Sequence, residues 1–107
     1  MTITIDKLAR AIENRLGHLR AEAFAQAHRV MDYFGFRTLI TDNTIPPDDR
    51  RLFYALYDVG LLRSSGETVL LTSGRTWRIF YWELVEPDLD EVLREPPLSA
   101  KPYTTRA

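Results

Sequence analysis

The sequence predicts an α+β domain: three main helices, a C-terminal two- or three-stranded antiparallel β-ribbon, and a short closing helix. Three observations carry this. Apolar residues recur with the helical period in three segments before residue 60, and the period then changes from 3.6 to 2. The segments are separated by breakers, Gly17, Gly35, Pro46-Pro47, Gly60 and Pro96-Pro97. At 107 residues and 45% apolar content, the chain is the size of one domain with one core.

In the first helix, over residues 4–17, Ile5, Leu8, Ala9, Ile12, Leu16 and Leu19 fall in one narrow stripe. Thr4 suits the N-cap, Asp6 the positive end of the helix dipole, and Gly17 the exit. Lys7, Arg10 and Asn14 point to the opposite side. The second helix runs over about residues 19–34. Leu19, Ala23, Phe24, Ala27, Val30, Met31 and Phe34 make a broader apolar arc, and Glu22, Gln26, Arg29 and Asp32 form the wet side.

Residues 36–41 are β-prone and break at Asp42-Asn43. Pro47 is placed for a first helical position, with Asp48 and Asp49 in the first turn, so a third helix spans about residues 47–59. Its inward residues are Leu52, Phe53, Leu56 and Val59. Arg50, Arg51, Tyr54 and Asp58 face outward, with Tyr57 at the border.

Strands are expected over residues 67–72 and 76–85, joined by Ser73-Gly74-Arg75. In the second, Trp77, Ile79 and Tyr81 share one face, and Arg78, Phe80, Trp82 and Leu84 share the other. Aromatics on both faces imply cover on both sides, so Trp77 and Phe80 are read as anchors of the ribbon on the helices. Residues 88–94 read as a short acidic helix. Residues 1–95 thus form one domain, with a core over 19–85, and residues 96–107 have the composition of a flexible tail.

Within this order, residues 52–62 (LFYALYDVGLL) resemble the end of a winged-helix recognition helix and its Gly-Leu-Leu exit into the first wing strand. Residues 70–79 resemble the wing hairpin. The run from Gly74 to Trp82 is similar to small archaeal winged-helix-like proteins. A helix-turn-helix needs a supporting helix close before the recognition helix. Here about a dozen residues of strand and turn separate Gly35 from the third helix.

The resemblance implies a non-enzymatic nucleic-acid-binding or transcription-associated regulator, with double-stranded DNA as partner. Arg50, Arg51 and Tyr54 would meet groove or backbone, and Arg63, Arg75 and Arg78 would carry the ribbon onto phosphate. Charge argues against a bulk electrostatic footprint. Fourteen Lys+Arg stand against 15 Asp+Glu, and residues 47–62 are net −1. The first 38 residues carry +2 and the last 25 carry −3.

The alternative is a protein-interaction or dimerisation module that keeps the same shape. Tyr54, Tyr57, Tyr81 and Trp82 are amphipathic aromatics of the kind enriched at interface centres, and the first helix is the expected homodimer surface.

Enzyme chemistry finds no foothold. The chain has no cysteine, no Gly-rich phosphate loop, no nucleophile elbow and no paired histidines on a helix. His18 with Glu22 makes no metal site, and His28 reads as packing. No catalytic residue, metal, cofactor or small-molecule ligand is expected. No apolar run approaches the ~20 residues of a membrane helix, and the opening residues are not a signal peptide. Together these point to a cytoplasmic protein.

Overall fold

In the computed structural model, which describes residues 3–95, the order is α1 (Ile5–Leu16), α2 (Arg20–Phe34), β1 (Leu39–Thr41), a single 3-10 turn (Asp42–Thr44), α3 (Pro47–Asp58), β2 (Arg63–Leu70), β3 (Thr76–Glu83) and α4 (Glu86–Leu93). The fold is α+β, with four helices and a three-stranded antiparallel sheet in the order β1-β3-β2. The expected tail over residues 96–107 lies outside the described residues.

α1 starts where the side chain of Thr4 accepts the Lys7 backbone N–H at 3.1 Å. It ends at Gly17, whose φ of 70° is a left-handed conformation that other residues adopt at a cost. Its stripe of Leu8, Ala9, Ala11 and Ile12 is buried. One residue assigned to the wet side is not wet. Asn14 is 7% exposed, and its Nδ2 donates to the carbonyls of Val92 and Glu95, both at 3.1 Å. α4 packs over this side of α1, and Asn14 ties down its C-terminal end, adding a second donor to the Val92 carbonyl that already accepts the Glu95 N–H at 3.1 Å. Lys7, also assigned outward, lies 2.8 Å from Glu86 and 2.5 Å from Asp90 of α4. These contacts raise the Lys7 pKa, the hydrogen bond to Asp90 first and that to Glu86 second.

α2 buries Ala23, Ala27, Val30 and Phe34 but leaves Leu19 and Phe24 largely in solvent. The arc is therefore narrower than its composition suggests, because α1 covers only one side of α2. Phe53 of α3 seats the second layer, with ring centroids 6.0 Å from Phe34, 5.8 Å from Tyr33 and 5.8 Å from Trp82. Large rings fully removed from water at this junction are the largest single hydrophobic contributions to the fold.

The sheet differs from expectation in three ways. β1 is only three residues long, and Phe36 is fully exposed outside it. β2 begins at Arg63, four residues early. Ser64, Ser65 and Gly66 are weak strand formers, but a continuous ladder from Arg63↔Glu83 to Leu70↔Thr76 supplies their hydrogen bonds. The hairpin closes through Leu71 N–H to the Arg75 carbonyl at 2.8 Å, with Gly74 at φ 87° in the turn.

The third difference concerns cover. β1 pairs only with Tyr81, Trp82 and Glu83, so the rest of the hairpin stands clear as a two-stranded ribbon. Trp77 and Phe80 are not anchors: they are 58% and 51% exposed. The molecule is elongated, 57 × 35 × 26 Å.

Candidate nucleic-acid interface

Strand alternation sorts the ribbon into two faces. Arg78, Phe80 and Trp82 share the face that α3 meets, with Thr68, Gly66 and Ser64 opposite them on β2. Trp77, Ile79, Tyr81 and Glu83 lie on the other face, with Val69, Glu67, Ser65 and Arg63 opposite.

On the α3 face, Trp82 is the aromatic centre. It is 2% exposed, so its expected place at a protein interface is corrected: it is core. Its ring lies 5.2 Å from Tyr54 and 5.9 Å from Tyr57, both edge-on. The two tyrosines stand on the buried indole and remain about half exposed. Farther out, the Arg78 guanidinium sits 5.4 Å from the Phe80 ring centroid, a cation–π distance, and donates to Thr68 Oγ1 at 3.2 Å.

The six residues expected to meet nucleic acid do not form one footprint. Arg50 is held inward. Its Nη2 donates to the Ile45 carbonyl at 3.0 Å, and its Nε lies 3.4 Å from Asp42 Oδ1. The same Asp42 oxygen accepts the Trp82 indole N–H at 2.8 Å. Arg50 therefore braces the 3-10 turn between α3 and β3.

Arg63 lies on the opposite ribbon face and forms a two-pronged pair with Asp88, at 2.8 and 2.9 Å. That bond to Asp88 raises the Arg63 pKa further. Arg51, Arg75 and Arg78 have no acidic partner among the described residues. Arg51 is three positions before Tyr54, on the same exposed ridge of α3.

The two aspartates that open α3 also part company. Asp49 turns toward α2, accepting a short hydrogen bond from the Tyr33 hydroxyl and lying 3.4 Å from Arg29. The Asp49 bond is the first cause of a raised Tyr33 pKa, and burial the second. Asp48 stays exposed on the ridge.

The surfaces expected to meet protein are redistributed as well. The apolar residues Leu8, Ala9, Ala11 and Ile12 of α1 lie in the domain's own core, with Ile5 and Leu16 partly buried against it. Tyr81 is half-buried on the other ribbon face and donates to Glu67 Oε1 at 2.5 Å. That bond raises the Tyr81 pKa. Sequence reasoning missed Phe80 as an exposed ring, along with the clamp of Asp42 and Arg50. A polar residue beside a Trp in sequence would have pointed to such a clamp, but Asp42 and Trp82 are 40 positions apart.

His18 Nδ1 is 2.9 Å from Gln26 Oε1. Among the described residues no three His, Asp or Glu side chains converge as metal ligands. No described helix is long and apolar enough to cross a membrane.

The fold and this face define a small α+β domain with a projecting, arginine- and aromatic-bearing ribbon. The chain belongs to a family of unknown function (DUF6015), whose model matches residues 1–95. No match is found among curated proteins.

Proposed function

We propose that this chain is a non-enzymatic, winged-helix-like protein that binds nucleic acid through α3 and the adjoining ribbon face. The order α2, β1, α3, β2, β3 and the sheet order β1-β3-β2 support the winged-helix reading. A single observation carries the binding: among the described residues Arg51, Arg75 and Arg78 have no acidic partner, and Arg78 extends the face on which Tyr54 stands. Arginine without a local carboxylate is available for two-pronged phosphate contact. A regulatory role in transcription follows from this reading.

The test is fluorescence anisotropy with duplex and single-stranded oligonucleotides at two salt concentrations. Affinity falls as salt rises. The triple variant Arg51→Gln, Arg75→Gln, Arg78→Gln flattens the log-affinity slope against log salt by about 2–3, one unit per lost phosphate contact. Arg63→Gln leaves binding unchanged, because Arg63 already has Asp88. Absence of binding to every oligonucleotide at low salt overturns the reading.

A second reading, a protein-interaction module, is favoured by the other ribbon face. There Trp77, Ile79 and Tyr81 run in one stripe with Val69 and the half-exposed Leu39, and Trp77 is largely exposed. A groove of about 630 Å³ lined by Tyr33, Phe36, Arg37, Leu39 and Tyr81 continues that surface. A monomeric mass by light scattering at high concentration removes its self-association form.

A further inference from the structure

The α3 face of the ribbon carries more exposed ring surface than phosphate binding requires, and its rings occur in a row. Tyr54 and Tyr57 stand on Trp82. Phe80 is two residues farther along β3 on the same face, about 7 Å by strand geometry. Arg78 flanks Phe80 on the outer side, and Arg51 flanks Tyr54 one turn back along α3. Across the ribbon, Phe80 is paired with Gly66, whose missing side chain leaves room for the Arg78 guanidinium to lie over one side of the ring. A methyl group added at Gly66 would come within 3.3 Å of Arg78 Nη2 and 3.4 Å of Phe80 Cδ1. Three rings, each about half exposed, therefore lie between two cations that have no carboxylate partner among the described residues.

A DNA duplex makes poor use of this surface. Its bases are stacked inside, so half-exposed rings find only sugar and phosphate. The ridge of α3 that would enter a groove carries Asp48 and Asp58 beside Arg51, two carboxylates against one cation. The segment in front of α3 is one 3-10 turn rather than a helix laid across it. Unpaired bases do use such a surface. Each presents a π-face to a ring, stacking is tolerant of sequence, and neighbouring arginines follow the backbone.

Resting on the nucleic-acid reading above, we infer that the preferred ligand is single-stranded. Bases stack on Phe80, Tyr54 and Tyr57, and the phosphates lie against Arg51, Arg75 and Arg78. The chemistry is common to DNA and RNA single strands. The experiment therefore carries both.

Labelled oligo(dT), oligo(rU) and a mixed-sequence DNA duplex are titrated with the full chain at low salt and read by anisotropy. At least one single strand binds about tenfold or more tightly than the duplex, and the ratio of the two single-strand affinities identifies the source. Phe80→Ala weakens single-strand binding by about tenfold, the worth of one stacked base. Phe80→Tyr restores it. The thermal midpoint of Phe80→Ala stays near that of the parent, which separates lost stacking from lost folding. Duplex binding equal to or tighter than that of both single strands overturns this inference and leaves the nucleic-acid reading standing. So does a Phe80→Ala variant with full single-strand affinity. No binding to any of the three probes overturns both.

Discussion

Trp82 and Trp77 lie five residues apart on the same strand and have opposite fates. Trp82 is 2% exposed, in ring contact with Phe53, Tyr54 and Tyr57, and its indole N–H is satisfied by Asp42. Trp77 is 58% exposed and faces Val69 across a two-stranded ribbon. The residue type is the same, and so is the regular strand backbone. What differs is the neighbourhood. The root of the hairpin has β1 on its edge and α3 on one face, whereas the distal half has neither. The root is therefore part of the core, and the distal half is a surface built on it.

Mutating the two tryptophans tests this division most directly. Trp82→Ala removes a buried indole, three ring contacts and a satisfied hydrogen bond, and lowers the unfolding free energy by about 3–5 kcal/mol, measured in urea. A loss below about 1 kcal/mol would break the comparison at its strong end.

Tyr81, at the root but on the uncovered face, gives an intermediate case readable by pH. Its hydroxyl must stay protonated to donate to the Glu67 carboxylate, which is why its pKa lies above the ordinary 10.0. The folded pKa is the raised one, so the contribution is fully present below pH 10 and is lost as pH climbs through the folded value. Ultraviolet titration of tyrosinate in Glu67→Gln shows one tyrosine ionising earlier than in the parent; an unchanged curve contradicts the pairing.

Trp77→Ala is the smallest effect, about 0.2–1 kcal/mol, the value of one cross-strand pair. If it approaches the cost of Trp82→Ala, the distal ribbon is not free surface.

Much of this division was hidden in the sequence, while the helices were not. α1, α2 and α3 are within a few residues of expectation because their signals are local: Thr4 and Gly17 bound α1, Gly35 follows α2, and Pro47 opens α3. Asn14 departs from the sequence expectation because a helical wheel shows only which residues share a side. It cannot show that α4, some 78 positions later, returns to cover the second side. β2 begins four residues before its expected start for a similar reason. Ser64, Ser65 and Gly66 have little strand preference of their own, and their ladder partners lie across the turn on β3.

The candidate site was legible by type and only partly by membership. Arg51, Tyr54, Arg75 and Arg78 remain available on or beside the α3 face, whereas Arg50 braces Asp42 and Arg63 is held by Asp88. Charge counting gave Asp48 and Asp49 the same weight, yet Asp49 is engaged by Tyr33 and Arg29.

By itself, then, the sequence determined the α+β class, the number of main helices, their ends, and the alternation that gives β3 two aromatic faces. Hydrophobic period, capping and turn chemistry act within a few residues, so a linear reading captures them. The tertiary structure alone decided which aromatic face is covered, which arginines are paired with carboxylates, and where the ribbon leaves the core. Those outcomes depend on contacts such as Asp42 with Trp82 and Arg63 with Asp88, between groups that only the fold brings together.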